Sequence, residues 1–327
     1  MTISTLNKFT FTLLIISVIF FTSCVETIIY VQVHPDGRYT MNFITKGDST
    51  DVFNHDFPHP AGPVWITNIK KNPGEDDDIW VMKTSGMANG ALLFTAREDS
   101  LTALQHPLQV ERKEGYFATR YTLRNVFKGR QVYRKYPAFG RSLQDSDKDS
   151  TRWLDEALYY MCTAAISDLQ NDPEVSIDSD LSERVLNHIH NTLARVNQKD
   201  LFEELVNKQN FIDQMLKRFH KDLPVRYSTL LSKATDIYEE ELELTSNLQD
   251  DQFQYKATLP GVITSTNADT ISGDTLKWTF GLQQYVNDDY VIAAASVVYS
   301  SQRIQVAVLC TAGLFLIILY LVYKRRH

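Results

Sequence analysis

The chain holds three cysteines in 327 residues, and two of them, Cys24 and Cys310, adjoin or lie inside apolar runs. Only Cys162 remains for the region between those runs. An internal disulfide is therefore excluded there, and the fold has to rest on its packed core. Glycine and proline are also scarce, at 13 and 10 residues. With no internal repeat and no low-complexity linker, the remainder is an ordinary globular composition, 43% hydrophobic and 22% charged with a net charge of −7. The chain has no Gly-x-Ser-x-Gly, no phosphate-binding glycine loop and no Cys–His pairing signal, so sequence offers no nucleophilic catalyst. A binding protein is the leading expectation. An envelope hydrolase whose site is assembled only in space is the alternative.

Two long hydrophobic runs are present. Phe9 to Phe21 follows a weakly basic start and ends at Thr22-Ser23-Cys24. It is too short to cross a hydrocarbon core of about 30 Å but has the length of a signal-peptide apolar region. Phe21-Thr22-Ser23-Cys24 resembles a bacterial lipobox, with Phe21 in place of the usual Leu. That resemblance implies that Cys24 is the lipidated N-terminus of the mature chain. The alternative is a conventionally cleaved signal peptide with Cys24 incidental. The second run, Val306 to Tyr323, has no charge and is followed by Lys324-Arg325-Arg326-His327. At about 1.5 Å per residue, and extended by Ile304 and Gln305, it spans a bilayer, with Tyr320 and Tyr323 suited to an interface. The basic end predicts a cytoplasmic C-terminus, and the rest of the chain then faces outward. A buried core helix is the competing reading. In a double-membraned cell the combination points to the inner membrane.

Between the runs the pattern changes twice. Thr27–Val33 and Tyr39–Ile44 are β-rich and flank Pro35-Asp36-Gly37, which predicts a hairpin. Val64–Lys70, Ile79–Thr84, Ala91–Arg97, Leu108–Lys113 and Tyr116–Arg124 are further strand candidates. The chain thus reads as antiparallel β up to Arg141. From Trp153, Leu154, Leu158, Met161, Ala165 and Leu169 recur at helical spacing. Asp180 with Glu183, and Asp200 with Glu203, read as capping boxes opening helices over Leu181–Asn197 and Leu201–Phe219. Pro224 opens a fourth helix. Glu241 to Thr245 fits either its last turns or an edge strand. Alternation returns from Phe253, and Val291–Tyr299 runs into the second apolar segment. The expected fold class is α+β: an antiparallel β-rich body from both ends, an inserted helical block and one C-terminal transmembrane helix. The boundaries are 1–23 signal peptide, 24–148 and 249–303 β-rich, 149–248 helical, 304–323 membrane helix and 324–327 tail. Two independent domains are the alternative.

The lipobox, the hairpin soon after it, Leu259-Pro260-Gly261 followed by Asn267, Gly273 and Trp278, and the terminal apolar helix with its basic tail are together similar to bacterial lipoproteins of the LppM type. The resemblance implies an α+β module outside the cytoplasm and an association with lipid or glycolipid.

The strongest interior signal is charge segregation. From Arg112 to Arg141 nine basic residues face a single acid, Glu114. The candidate anion-binding set is Arg112, Lys113, Arg120, Arg124, Lys128, Arg130, Arg134 and Lys135, interleaved with aromatics. Strand period places Arg120 and Arg124 on one face, with Phe117, Tyr121 and Leu123 on the other. Such a mixture suits single-stranded nucleic acid, but the compartment favours anionic lipid or an envelope polymer, at about 1 kcal/mol per cation near a charged surface. A solvated strand face neutralised by the acids that follow is the plainer reading. Those acids give a second candidate: Asp145, Asp147, Asp149, Thr151, Trp153 and Glu156 match the ligand spacing of a calcium loop, although Ser150 stands where a glycine is needed. An acidic helix N-terminus explains them equally. No other cofactor is expected. His55 and His59 are split by Pro58, so only an irregular zinc loop could use them. His188 and His190 point to different sides of a helix. Glu75–Asp78 reads as a turn and Glu239–Glu241 as an exposed helix end. Other membrane proteins remain possible partners of the helical block.

Overall fold

The computed structural model describes residues 26–53, 57, 59–72, 79–95, 104–144, 153–173, 175–197, 201 and 207–326. Cys24, His55, Glu75–Asp78, Asp145, Asp147, Asp149, Thr151 and Asp200 lie outside the described residues.

The described residues form an α+β fold with two sheets. The first has seven strands in the order β10 (Thr270–Ser272), β11 (Thr275–Phe280), β8 (Gln252–Thr258), β1 (Glu26–Val33), β2 (Arg38–Gly47), β4 (Ile79–Asn89) and β3 (Trp65–Asn72). The second has five, in the order β5 (Ala91–Thr95), β6 (Gln105–Glu114), β7 (Ala118–Phe127), β12 (Tyr290–Tyr299) and β9 (Val262–Thr266). Both sheets take strands from the two ends of the region, as the returning alternation predicts. Pairing is antiparallel except at β1–β8, where Ile29 lies beside Tyr255 in a parallel ladder. That one pair needs a long connection, and the chain supplies it through β2 to β7 and then the helical block, which leads from β7 of the second sheet into β8 of the first.

Alternation decides which residues are buried. Ile29, Val31, Val33, Tyr39, Met41 and Phe43 face inward from β1 and β2. Leu108, Val110, Tyr121, Leu123 and Ile292 face them from the second sheet. Phe127 closes the gap, with ring centroids 4.6 Å from Phe280 and 6.0 Å from Phe57. Asn267 joins the sheets: its Oδ1 accepts from Trp278 Nε1 at 3.0 Å and from the Ala293 amide at 2.9 Å.

The helical block contains α4 (Leu154–Leu169), α5 (Ser179–Leu193), α6 (Lys208–Leu216) and α7 (Tyr227–Asn247), numbered after α1 (Ser49–Phe53), α2 (Val132–Lys135) and α3 (Pro137–Gln144). Two further helices complete the order, the short α8 (Leu282–Tyr285) and the 26-residue α9 (Ser301–Arg326). Within α9, Ser301–Arg325 is long and apolar enough to cross a membrane.

Three details differ from the sequence reading. Residues 132–144 are helical, since Pro137 suits a first helical turn, where no amide need donate. The cap of α5 is Asp178, whose Oδ1 accepts from the Leu181 amide at 2.8 Å, so the N-cap sits two residues before Asp180. Of the two readings open for residues 241–245, the last helical turns are what the fold has. Glu241 is 1% exposed and pairs with Lys135 at 2.5 Å, because α7 runs on to Asn247 and turns this carboxylate inward.

Candidate functional site

The basic stretch is divided by the fold. Arg112 lies on the inner side of β6, where its Nε donates to the Pro35 carbonyl at 2.9 Å and it pairs with Glu114. It thereby fastens the β1–β2 turn to the second sheet. Lys128 pairs with Asp289 at 2.8 Å. Burial works against that carboxylate's charge, but the Lys128 hydrogen bond and the Gly129 amide outweigh it and hold Asp289 below its ordinary pKa. Arg130 is 2% exposed and sits over the Tyr285 ring, with burial lowering its pKa and Tyr285 and Glu241 opposing the shift. With Lys135 held by Glu241, four of the eight candidates are used in the architecture.

Lys113, Arg120, Arg124 and Arg134 are exposed and make no ion pair with a described residue. Three of them share the outer face of the second sheet. Lys113 lies directly across from Arg120, and Arg124 lies across from Gln109. On the other flank Arg120 meets Val297, Thr122 meets Ala295 and Arg124 meets Ala293. The two alanines leave a shallow groove of about 520 Å³ between Arg124, Gln109 and Glu111 on one side and Ser265, Thr266 and Asn267 on the other. Arg134 is displaced onto α2.

The foot of this face meets α9. The Ser300 amide donates to the Phe117 carbonyl at 2.8 Å, and Arg303 Nη1 donates to the Tyr116 carbonyl at 3.2 Å while stacking on the Tyr116 ring. Tyr116 is 66% exposed, Phe117 48% and Tyr299 60%, so three aromatics surround the root of the apolar helix. Strand period alone put Phe117 on the buried face. The Gly115–Ala118 turn ends that period before Phe117, and its ring is left outside.

The remaining sequence candidates separate. Glu156 accepts from the Ala138 amide at 2.9 Å and so tethers α3 to α4. The calcium partners proposed for it lie outside the described residues. Among the described residues no group of three His, Cys, Asp or Glu is placed to hold a metal. His59 is bonded to Thr45 at 2.8 Å and to Thr84 at 2.8 Å. Cys162 is buried in α4, its thiol pushed up to about 12 by burial.

Sequence reasoning missed a second polar surface on the helical block. Arg184, Asn187, His188, Asn191 and Arg195 line one wall of a groove of about 670 Å³, and Arg218 and Phe219 line the other. Their spacing is the signal that could have revealed the first wall, since positions 184, 187, 188, 191 and 195 fall on one helical stripe. The opposite wall comes from another helix and carries no such mark.

No family model and no curated protein matches this chain. Among solved structures it is similar to the folded domain of the Mycobacterium tuberculosis LppM protein, determined by NMR, with 8% identity and a TM-score of 0.27, over 85% of this chain and 92% of that one. A superposition so loose leaves the site to be argued from this chain's own residues.

Proposed function

We propose that this chain is a membrane-anchored, non-enzymatic binding module that holds anionic lipid at the foot of its second sheet, with its folded region outside the cytoplasm. The observation that carries the reading is the hydrogen-bonded junction between the Tyr116–Phe117 turn and the first turn of α9, with unpaired cations just above it. From Ser301 to Tyr320 a helix rises about 30 Å, which matches a hydrocarbon core and leaves the first turn at the interface. Exposed Tyr and Phe side chains favour that depth.

Distance selects among the cations. Arg120 and Lys113 lie level with Val297, two residues from the end of β12, so about 7 Å above the helix root. Arg124 lies level with Ala293, about 20 Å up. The Debye length at physiological salt is about 8 Å. Lys113 and Arg120 are therefore within reach of headgroup phosphates, and Arg124 serves only a ligand that rises into the groove, such as an envelope polymer.

Native mass spectrometry of the detergent-solubilised full chain tests this. Phosphatidylglycerol should be retained in preference to phosphatidylcholine, and Lys113→Glu with Arg120→Glu should abolish the preference while Arg124→Glu leaves it. Equal retention of both lipids by the unaltered chain would sink the lipid reading. In nanodiscs, Phe117→Trp should be quenched by lipids brominated near the headgroup. A Leu316→Trp control reports on the span itself, so a failed collar is told apart from a failed anchor.

A further inference from the structure

Among the described residues, the groove on the helical block brings three arginines together with no acid in its lining. Its residues are Arg184, Asn187, His188, Asn191, Thr192, Arg195, Val196, Arg218 and Phe219, on a chain whose net charge is −7. The nearby carboxylates have other engagements. Asp180 holds the outer side of Arg184 at 3.2 Å in an exposed pair, worth little in water. Asp213 accepts from Ser228 at 2.9 Å and faces His220 at 3.5 Å.

The groove has an ordered centre. Arg218 Nη1 lies 3.3 Å from His188 Nδ1, a distance and donor type that require the imidazole to accept there and so to be neutral. The Arg218 guanidinium is 5.3 Å from the Phe219 ring centroid, and the His188 ring meets the same phenyl edge-on at 5.5 Å. Phe219 is buried, so this ladder is fixed from below. Burial lowers the His188 pKa, with Arg218 and then, more weakly, Arg195 acting in the same direction, while a backbone hydrogen bond with Met215 opposes them. Arg218 and Arg195 thus both act on the one imidazole, and with Arg184 they line the same groove. Like charges held together without an acid are relieved by an anion, and guanidinium forks match phosphate oxygens two at a time. A volume of about 670 Å³ lies within the range of small-ligand sites.

We propose that this groove binds a phosphate-bearing ligand gripped by Arg184, Arg195 and Arg218, with Asn187 and Asn191 flanking it and Phe219 as its apolar wall. The site is independent of the lipid-binding foot, since it is built from α5, the residues just after it and the turn Lys217–Phe219. Bound phosphate offsets the two arginines and makes a charged His188 favourable. Ligand affinity therefore rises as pH falls through the histidine range, and the ligand raises the His188 pKa. The groups acting on that ring are Arg195 just past the end of α5, Arg218 from the turn and the Met215 backbone from α6, with Arg184 one turn before it in the lining of the groove.

The probe is tripolyphosphate, titrated calorimetrically into the full chain in phosphatidylcholine nanodiscs, with the imidazole signals of the eight histidines followed by NMR. Binding is expected to weaken with salt and to fall roughly tenfold for each of Arg184→Gln and Arg195→Gln, two exposed side chains whose loss leaves the ladder intact. His188, identified by its loss in His188→Gln, should titrate at higher pH when tripolyphosphate is present. Lys113→Glu with Arg120→Glu should bind the probe unchanged, which separates this site from the lipid reading. Doping the discs with phosphatidylglycerol distinguishes the source: competition points to a lipid phosphate, and its absence to a soluble phosphoester. Unaltered binding in both arginine variants, or a His188 titration indifferent to the probe, overturns the proposal.

Discussion

At the scale of single residues, the interior holds titratable side chains among its hydrophobic ones. His106 is 1% exposed, stacked 5.0 Å from Phe57 and 5.2 Å from Phe127, with its pKa well below 6.5 through burial and then through Arg130. The unfolded chain takes up a proton near pH 6.5 that the folded chain refuses, so unfolding gains protons in acid. Stability is therefore fully present above that pH and falls as pH drops below it, until the depressed folded pKa is reached. Urea midpoints measured from pH 7 downward should show this slope, and His106→Phe, which keeps a ring between Phe57 and Phe127, should flatten it. An identical slope in the variant would mean that other groups set the acid response. Glu241 belongs to the same economy: two cations, Lys135 and Arg130, are drawn to one buried carboxylate, which locks α7 to the segment leaving β7.

At the scale of elements, the segment leaving β7 is joined closely to the segment that leads into β12. The Arg130 amide donates to the Tyr285 carbonyl at 2.9 Å and the Val132 amide to the Val286 carbonyl at 3.0 Å. Gly129 makes this approach possible, because a Cβ there would stand 2.1 Å from the Asn287 carbonyl oxygen. Gly129→Ala should cost about 2–3 kcal/mol or more by urea denaturation, since backbone has to move. Gly273→Ala is the contrast: its φ is +63° but nothing lies within 4 Å, so only the left-handed conformation is penalised, at about 1 kcal/mol. Equal costs would show that the join is not tight. Elements with period were legible in sequence: β1, β2, β11, β12 and α4 announce themselves because half their side chains must be buried. The short β9, with Val262 and Thr264 exposed, has no such face to advertise. The α2–α3 pair was hidden because Arg130, Lys135 and Phe139 looked like a basic aromatic surface, whereas burial of the first and pairing of the second depend on Tyr285 and Glu241, far along the chain. The outer face at Lys113, Arg120 and Arg124 was readable from strand parity. The groove at Arg184 and Arg218 was not, since no spacing links two helices before they pack.

At the scale of the whole molecule, the helical block is the connection from β7, central in the second sheet, to β8, central in the first, where β8 lies parallel to β1. Buried side chains of both sheets and of the block join in a single cluster running from Ile29 through Phe127, Ala157 and Val185 to Trp278. Opening the block without disturbing the sheet would strand Tyr136 and Leu248 from their neighbours and leave Glu241 and Arg130 unequally exposed. Two tryptophans report on the two parts: Trp153 packs 4.8 Å from Phe139 at the entrance to the block, and Trp278 is fully buried in the first sheet. Variants of the full chain retaining only one or the other, with the remaining tryptophans replaced by phenylalanine, should unfold in urea with coincident midpoints and equal slopes, as a cooperative unit does. A lower midpoint at Trp153 would show that the block folds as a domain of its own. Phosphate binding in its groove would then stabilise Trp153 alone, whereas in a cooperative molecule tripolyphosphate raises both midpoints together.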